Sequence, residues 1–367
     1  MSRFSIRSRF PWVKTFCRHV WVVPIAIALV GLHVLPAAAL PQGNVVSDGQ
    51  RLLRMGLPFE QKDVRFVDEQ LSEAEEDIRR VRSLKSAQGH ASKAVRRLER
   101  QESRILAAVP EGQQAAAVAD LAALKGAIGE LEQVLEEDDR VLAKPKVDAA
   151  IERLTAFETD FVSGFPFEIP SEYDGLPRLL GRAQAEFNTT AGRFVLTLDG
   201  YNAPLSAGNI ADLVDNGFYS GLGFDRVEDF FLVQLGDPPG DADGYIDPAT
   251  RQKRTIPLEI RARGDELPLY ETTFDQAGYV GEEPMLPFYA QGTLALATYD
   301  GEPNSASSQF FIFLAEPELT PAGLNLLDGN FATFGYVTEG VDDLRSITLE
   351  DKVVSAKLIS GSENLVR

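Results

Sequence analysis

One arginine stands at the head of an apolar run and one glutamine inside it, Phe224-Asp225-Arg226-Val227 running on through Phe230-Phe231-Leu232-Val233-Gln234-Leu235, which Gly236-Asp237-Pro238 ends. The aromatic and β-branched bias predicts a strand, and Gly-Asp-Pro is turn chemistry. A guanidinium and a carboxamide in so apolar a setting need partners or a ligand, because a buried donor without an acceptor costs free energy. A second run of this kind is Asn304-Ser305-Ala306-Ser307-Ser308-Gln309-Phe310-Phe311-Ile312, with Gln309 beside its aromatics. No histidine follows His90, so a Ser-His-Asp triad and a Cys/His zinc site are excluded from this half.

The chain that must position these residues has 367 of them, enough for two domains. Its start carries Arg3, Arg7, Arg9, Lys14 and Arg18 and no acid; Val20 to Leu35 is nearly all apolar, and Ala37-Ala38-Ala39 supplies small residues. That order reads as a secretory signal peptide over residues 1–39, without a twin arginine. The competing reading is a permanent membrane anchor, against which stand the short apolar run, His33 and Pro24. Cleavage would take the net charge from −19 to −24 and remove Cys17, Trp12, Trp21, His19 and His33. A disulfide is then impossible although an exported protein could form one. The acidity argues against nucleic acid and anionic lipid as partners.

Residues 44–164 have a helical pattern. Val64, Val67, Leu71, Ala74, Ile78, Val81 and Leu84 form one apolar stripe; it weakens between Ser86 and Ser92 around Gly89 and resumes with Val95, Leu98, Ile105 and Val109. Pro110-Glu111-Gly112 breaks it. Val118, Leu121, Leu124, Ile128, Leu131 and Leu135 predict a second helix, and Pro145 is expected to separate it from a third carrying Val147, Ile151, Leu154 and Phe161. Ser47 and Gln50 are candidate caps for a short leading helix. Short connections imply an antiparallel bundle. Its acidic runs read as solvated faces, His90 as a surface residue, and nothing in it suggests catalysis.

Pro166, Pro170, Gly175, Pro177 and Gly181 mark a linker over 165–184, and sheet signals begin at Ala185. Ala191-Gly192 between Phe187 and Phe194 reads as a hairpin, and Ala207 to Asn216 as a short amphipathic helix. Thr255 to Ile260 predicts an extra strand. Asp241-Ala242-Asp243-Gly244-Tyr245-Ile246-Asp247 mimics the middle of a calcium loop, but the first and twelfth ligand positions fall on Pro239 and Thr250, so it reads as a turn and no metal is expected.

The two opening runs, with Gly292-Thr293-Leu294-Ala295-Leu296-Ala297 and Leu327-Asp328-Gly329 to Phe334-Gly335, resemble in order the motifs of the cyclophilin peptidyl-prolyl isomerases. The resemblance covers residues 185–367 and implies an eight-stranded antiparallel β-barrel with two capping helices, so the expected fold is a multidomain α plus β protein, helical bundle first. It makes Arg226 the catalytic cation and puts Phe231, Leu232 and Phe311 in a proline pocket. Gln234 and Gln309 fall where the family holds the arginine or the peptide backbone, Ala297-Thr298 on the strand that pairs with substrate. Leu326 stands where the family has a rim tryptophan and Phe331 where it has a histidine, departures that imply weaker catalysis and argue against cyclosporin sensitivity. The plainer alternative makes Phe231, Leu232 and Phe311 core, and Asp225 is expected to temper the arginine's charge.

The implied chemistry breaks no bond. Rotation about X-Pro meets a barrier of about 18–20 kcal/mol because the amide surrenders its resonance. A guanidinium bonded to the prolyl nitrogen's emerging lone pair favours only the twisted amide, and needs no cofactor. A helical domain ahead of such a domain, behind an export signal, is similar to the thylakoid-lumen cyclophilins of cyanobacteria and chloroplasts. That implies export to the thylakoid lumen or periplasm of a cyanobacterium, proline-containing clients with photosystem II subunits among them, and a helical domain in contact with its neighbour. The second reading is a scaffold that grips proline loops with little turnover, the helical domain covering the pocket.

Overall fold

The computed structural model describes residues 46–80, 84–315 and 325–367; the expected signal segment, and with it the question of an anchor, lies outside the described residues. Among the described residues no helix is long and apolar enough to cross a membrane.

Among the described residues five helices come first: α1 Gly49–Met55, α2 Lys62–Arg79, α3 Leu84–Leu106, α4 Gln114–Glu136 and α5 Arg140–Thr159. The cap of α1 is Asp48, whose carboxylate accepts from Arg51 N at 2.7 Å; the expected Ser47 and Gln50 do not cap it, and Gln50 Nε2 donates to Thr338 O across the molecule at 3.2 Å. The apolar stripe of α2 is buried through Val64, Val67, Leu71, Ala74 and Ile78. The weak stretch around Gly89 is the start of α3, where Ala87, Ala91 and Ala94 are fully buried. Alanines at that spacing carry too little hydrophobic signal to read, yet they let two helices approach closely. Pro145 lies inside α5 and does not separate two helices. The break falls earlier: Asp138 takes φ 54°, and Asp139 starts α5 by accepting from Val141 N and Leu142 N at 3.0 and 3.1 Å. Pro145 is close enough to that end that its missing N–H forfeits one bond. The helices α2 to α5 pack around one apolar core.

The second half is β1 Arg178–Leu179, β2 Arg182–Thr189, β3 Arg193–Asp199, α6 Pro204–Asp215, β4 Phe224–Glu228, β5 Leu232–Leu235, β6 Glu259–Ile260 and β7 Leu269–Tyr270. Then come α7 Phe274–Ala277, β8 Thr293–Leu296, β9 Phe310–Phe313, β10 Thr333–Glu339, α8 Val341–Leu344, β11 Val353–Ser360 and β12 Leu365–Val366. Eight strands form one sheet, ordered β11-β2-β3-β10-β8-β9-β5-β4, with every pairing antiparallel. It curls until its two edges meet at the bridge Gly223↔Lys352. Inside lie Leu196, Leu198, Val233, Leu235, Leu294, Leu296, Phe310, Ile312 and Phe334, with α6 over one end. Ala203 gives α6 no side-chain cap, and Glu259 of β6 replaces it, accepting from Leu205 N and Ser206 N at 3.0 Å. The extra strand expected over Thr255 to Ile260 shrinks to Glu259–Ile260, because Pro257 has no N–H to give and Leu258 N donates to the Asn304 side chain at 2.9 Å.

Helix α1 joins the halves. Leu52 and Leu53 pack on Tyr336 of β10 and on Leu286, Tyr289 and Ala290, while Asn202 Nδ2 donates to Gly56 O at 2.9 Å. Beside this seam Arg54, 2% exposed, pairs with Asp68 through Nε–Oδ1 at 2.8 Å. Glu158 of α5 is fully buried there, with Arg65 Nη1 no nearer than 3.7 Å. Burial, and then the charge of Asp68, pushes its carboxyl up to about 8. A carboxyl raised on folding favours the folded state at low pH, and that contribution is lost as pH rises from the unfolded value through the folded one. Glu158→Gln should therefore flatten the stability profile between about pH 4.5 and 8 and melt higher than the parent above pH 8. Thermal melts across this range check it; parallel profiles would show that Glu158 is ionised in the folded protein.

Candidate functional site

A one-residue irregularity places the arginine. Phe224 pairs with Leu235, but Arg226 pairs with Gln234, so Asp225 is a bulge in β4. Residues two apart in a strand share a face unless a bulge intervenes. Phe224 therefore enters the core while Arg226 turns to the outer face. The ladder continues the row, Gln234 opposite Phe311 and Phe311 opposite Ala295. In the next row Glu228, Leu232, Phe313 and Thr293 stand in register. Strands β5 and β9 thus bury apolar side chains on both faces: Val233, Leu235, Phe310 and Ile312 inward, Leu232, Phe311 and Phe313 outward.

The outer group is a separate apolar cluster of Leu232, Phe288, Ala295, Phe311 and Phe313, with Ala297, Leu327 and Phe331 packed against it. Phe331 meets Phe311 edge-on at 5.4 Å, Phe288 stacks on Phe311 at 6.0 Å, and Phe231 meets Phe313 edge-on at 5.8 Å. Phe288 is clamped at both backbone atoms: its N donates to Asp328 Oδ1 at 2.8 Å and its O accepts from Asn325 Nδ2 at 2.9 Å. Burial pushes the Asp328 carboxyl up to about 7.

The polar side is a cleft of about 350 Å³ lined by Gln234, Asp237, Asp243, Ala297, Thr298, Gln309 and others. Gln234 Nε2 donates to Gln309 Oε1 at 2.9 Å, and Gln309 Nε2 donates to Asp243 and Asp237 at 2.8 and 3.2 Å. Burial, then the charge of Asp243, raises the Asp237 carboxyl above its ordinary value. The calcium-like segment thus supplies an acceptor for Gln309, and its Asp247 closes a turn on Ala249 N and Thr250 N. Arg226 is half-exposed and bound to Glu228, with Nε–Oε1 at 2.6 Å.

Of the expected residues, Arg226, Leu232, Gln234, Ala297, Thr298, Gln309, Phe311 and Phe331 come together on this face, and Phe231 edges it. Leu326 does not join: it is 87% exposed, and its neighbour Leu327 packs on the cluster instead. Leu232 and Phe311 are buried, but in the outer cluster and not in the barrel core. The carboxylate on the arginine is Glu228; Asp225, expected there, accepts from Asp237 N at 2.9 Å. Nor does the helical region lie over the site, because α1 sits on β10, beyond β8 from β9 and β5, and leaves Arg226 and Phe231 exposed. Sequence reasoning missed Phe288, Phe313, Glu228 and Leu327. Phe313 was signalled by its spacing of two from Phe311; Phe288 has no such mark.

A curled eight-stranded antiparallel sheet with an arginine, paired glutamines and an apolar cluster on its outer face has the architecture of the cyclophilin class. Residues 184–359 match the family model described as cyclophilin type peptidyl-prolyl cis-trans isomerase, and residues 48–162 match the peptidyl-prolyl cis-trans isomerase CYP38-like, PsbQ-like domain. A Synechocystis sp. protein bearing the name of a thylakoid lumen peptidyl-prolyl cis-trans isomerase is 42% identical over 89% of this chain and 86% of its own length. The chloroplastic isomerase CYP38 of Arabidopsis thaliana is 36% identical over 93% of this chain and 80% of its own. A solved cyclophilin type isomerase of Cryptosporidium parvum aligns with 49% of this chain and 98% of its own, at 20% identity and a TM-score of 0.35. The chain belongs to the cyclophilin-type peptidyl-prolyl cis-trans isomerases.

Because Phe288 is the buried ring that a segment outside the sheet contributes to the outer cluster, Phe288→Ala should cost about 3–5 kcal/mol in chemical denaturation, the range for a buried phenylalanine. A loss under about 1 kcal/mol would mean that the outer cluster packs without it.

Proposed function

We propose that this chain accelerates rotation about X-Pro bonds of client proteins in the thylakoid lumen, with Arg226 as the residue that stabilises the twisted amide. The observation that carries the reading is the row Arg226–Gln234–Phe311 on the outer face of β4, β5 and β9. It sets a five-donor cation on the same face as the apolar cluster around Phe311, against which a pyrrolidine ring would pack. As the prolyl nitrogen turns pyramidal its lone pair becomes an acceptor, and a guanidinium there acts on the twisted form alone. Gln234 and Gln309, bonded to each other and anchored on Asp243, are placed to hold the client backbone. No cofactor or metal enters the step.

The names of the two curated relatives support the lumen over a periplasm. Export through residues 1–39 and photosystem II subunits as clients are part of the proposal; the charge order of the leader and the CYP38-like, PsbQ-like helical region support them.

A second reading has its own observation. Glu228 occupies the Arg226 guanidinium, and Leu326 offers no polar group to a client. Such a site would hold a proline loop and turn it over slowly, which suits an assembly factor.

Cis/trans exchange in an Ala-Pro peptide, measured by NMR with residues 40–367, separates the two. Arg226→Ala should lower the rate about a hundredfold, the scale of losing one transition-state donor. Glu228→Gln should raise it several-fold by releasing the cation. A parent rate no faster than the uncatalysed one, with the peptide bound, would overturn catalysis in favour of the binding reading.

A further inference from the structure

Phe230 closes the connection between β4 and β5 at φ 59°, in the left-handed region where a bulky L side chain is an outlier. The residue is 78% exposed, so burial does not offset the strain. The sheet dictates the backbone on both sides. Phe231 N donates to Glu228 O at 3.0 Å, and Phe231 O accepts from Leu314 N at 2.7 Å. Glycine meets such a turn without strain, whereas phenylalanine costs the free fold twice, in backbone and in wetted apolar surface. Strain of this kind persists where the side chain has work outside the fold.

The position indicates the work. Phe230 adjoins Phe231, whose ring meets Phe313 in the outer cluster, and it lies two residues from Leu232 in the same cluster. Phe230 thus presents an exposed aromatic side chain at the tip of the β4–β5 connection, one residue before Phe231 at the edge of the outer cluster. We propose that Phe230 is a specificity residue, packing on a bulky apolar side chain within two positions of the client's proline and selecting clients that carry one. This rests on the Arg226 face being the client site.

The test uses residues 40–367 as parent, Phe230→Gly and Arg226→Ala. The probes are an all-alanine peptide around one proline and four versions with a single leucine one or two places before or after it. In the parent at least one leucine peptide should exceed the alanine peptide in kcat/KM. In Phe230→Gly that ratio should fall on the order of tenfold, the scale of one lost aromatic contact. The same variant should melt higher, by about 2–4 °C for each kcal/mol of strain released in a domain of this size. An unchanged ratio, or a lower melting temperature, overturns the assignment. If Arg226→Ala abolishes turnover while Phe230→Gly leaves the ratio unchanged, the client site stands and the role of Phe230 alone falls. If Arg226→Ala has no effect, the site falls, and the assignment with it.

Discussion

Asp225 is one residue more than the β4–β5 ladder can pair, and the placing of Arg226 depends on that surplus. Without it, Phe224 and Arg226 would face the same way, and a guanidinium would follow a phenylalanine into an interior made of Val233, Leu235, Phe310 and Ile312. Desolvating an unpaired cation there would cost more than most single contacts return. The bulge resolves the conflict by sending Phe224 inward and Arg226 outward. Its own carboxylate then fastens the bulge to the turn after β5, by accepting from Asp237 N.

Once the arginine faces outward, the rest of the site follows from strands that are apolar on both sides. In β9 alternation sends Phe310 and Ile312 to the core and Phe311 and Phe313 to the outer cluster, so all four residues are buried. An outer face this apolar needs cover, and the segment through Leu286 to Ala290 supplies it in two directions. Leu286, Tyr289 and Ala290 pack beneath α1, while Phe288 enters the cluster that holds Phe311. The helical region thus supports the segment that covers the outer cluster and leaves Arg226 exposed.

Much of this was legible in the residues. The period of α2, the β2–β3 hairpin at Ala191-Gly192 and α6 rest on local signals, and the structure has them. What was not legible depends on register or on distant partners. A bulge at Asp225 looks like any acidic residue in a strand; the partner of Arg226 is set by which of Asp225 and Glu228 shares its face, and only pairing with β5 decides that. Pro145 misled because a strong cap six residues earlier, Asp139, outweighs one lost bond. The alanines of α3 hid a buried helix face, since close packing of small side chains leaves no large apolar residue to count. Leu326 was placed by motif alignment, and its neighbour Leu327 does the packing.

The central claim is that a client binds on the outer face of β4, β5 and β9, against Arg226. A direct measurement is a titration of the ¹⁵N-labelled chain with an Ala-Pro peptide, following backbone amides and the arginine Nε–H resonances. The account predicts that the Arg226 Nε–H and the amides of Gln234, Gln309 and Phe311 shift together and saturate at one peptide concentration. Shifts confined to the seam around α1, with Arg226 unmoved, would contradict it.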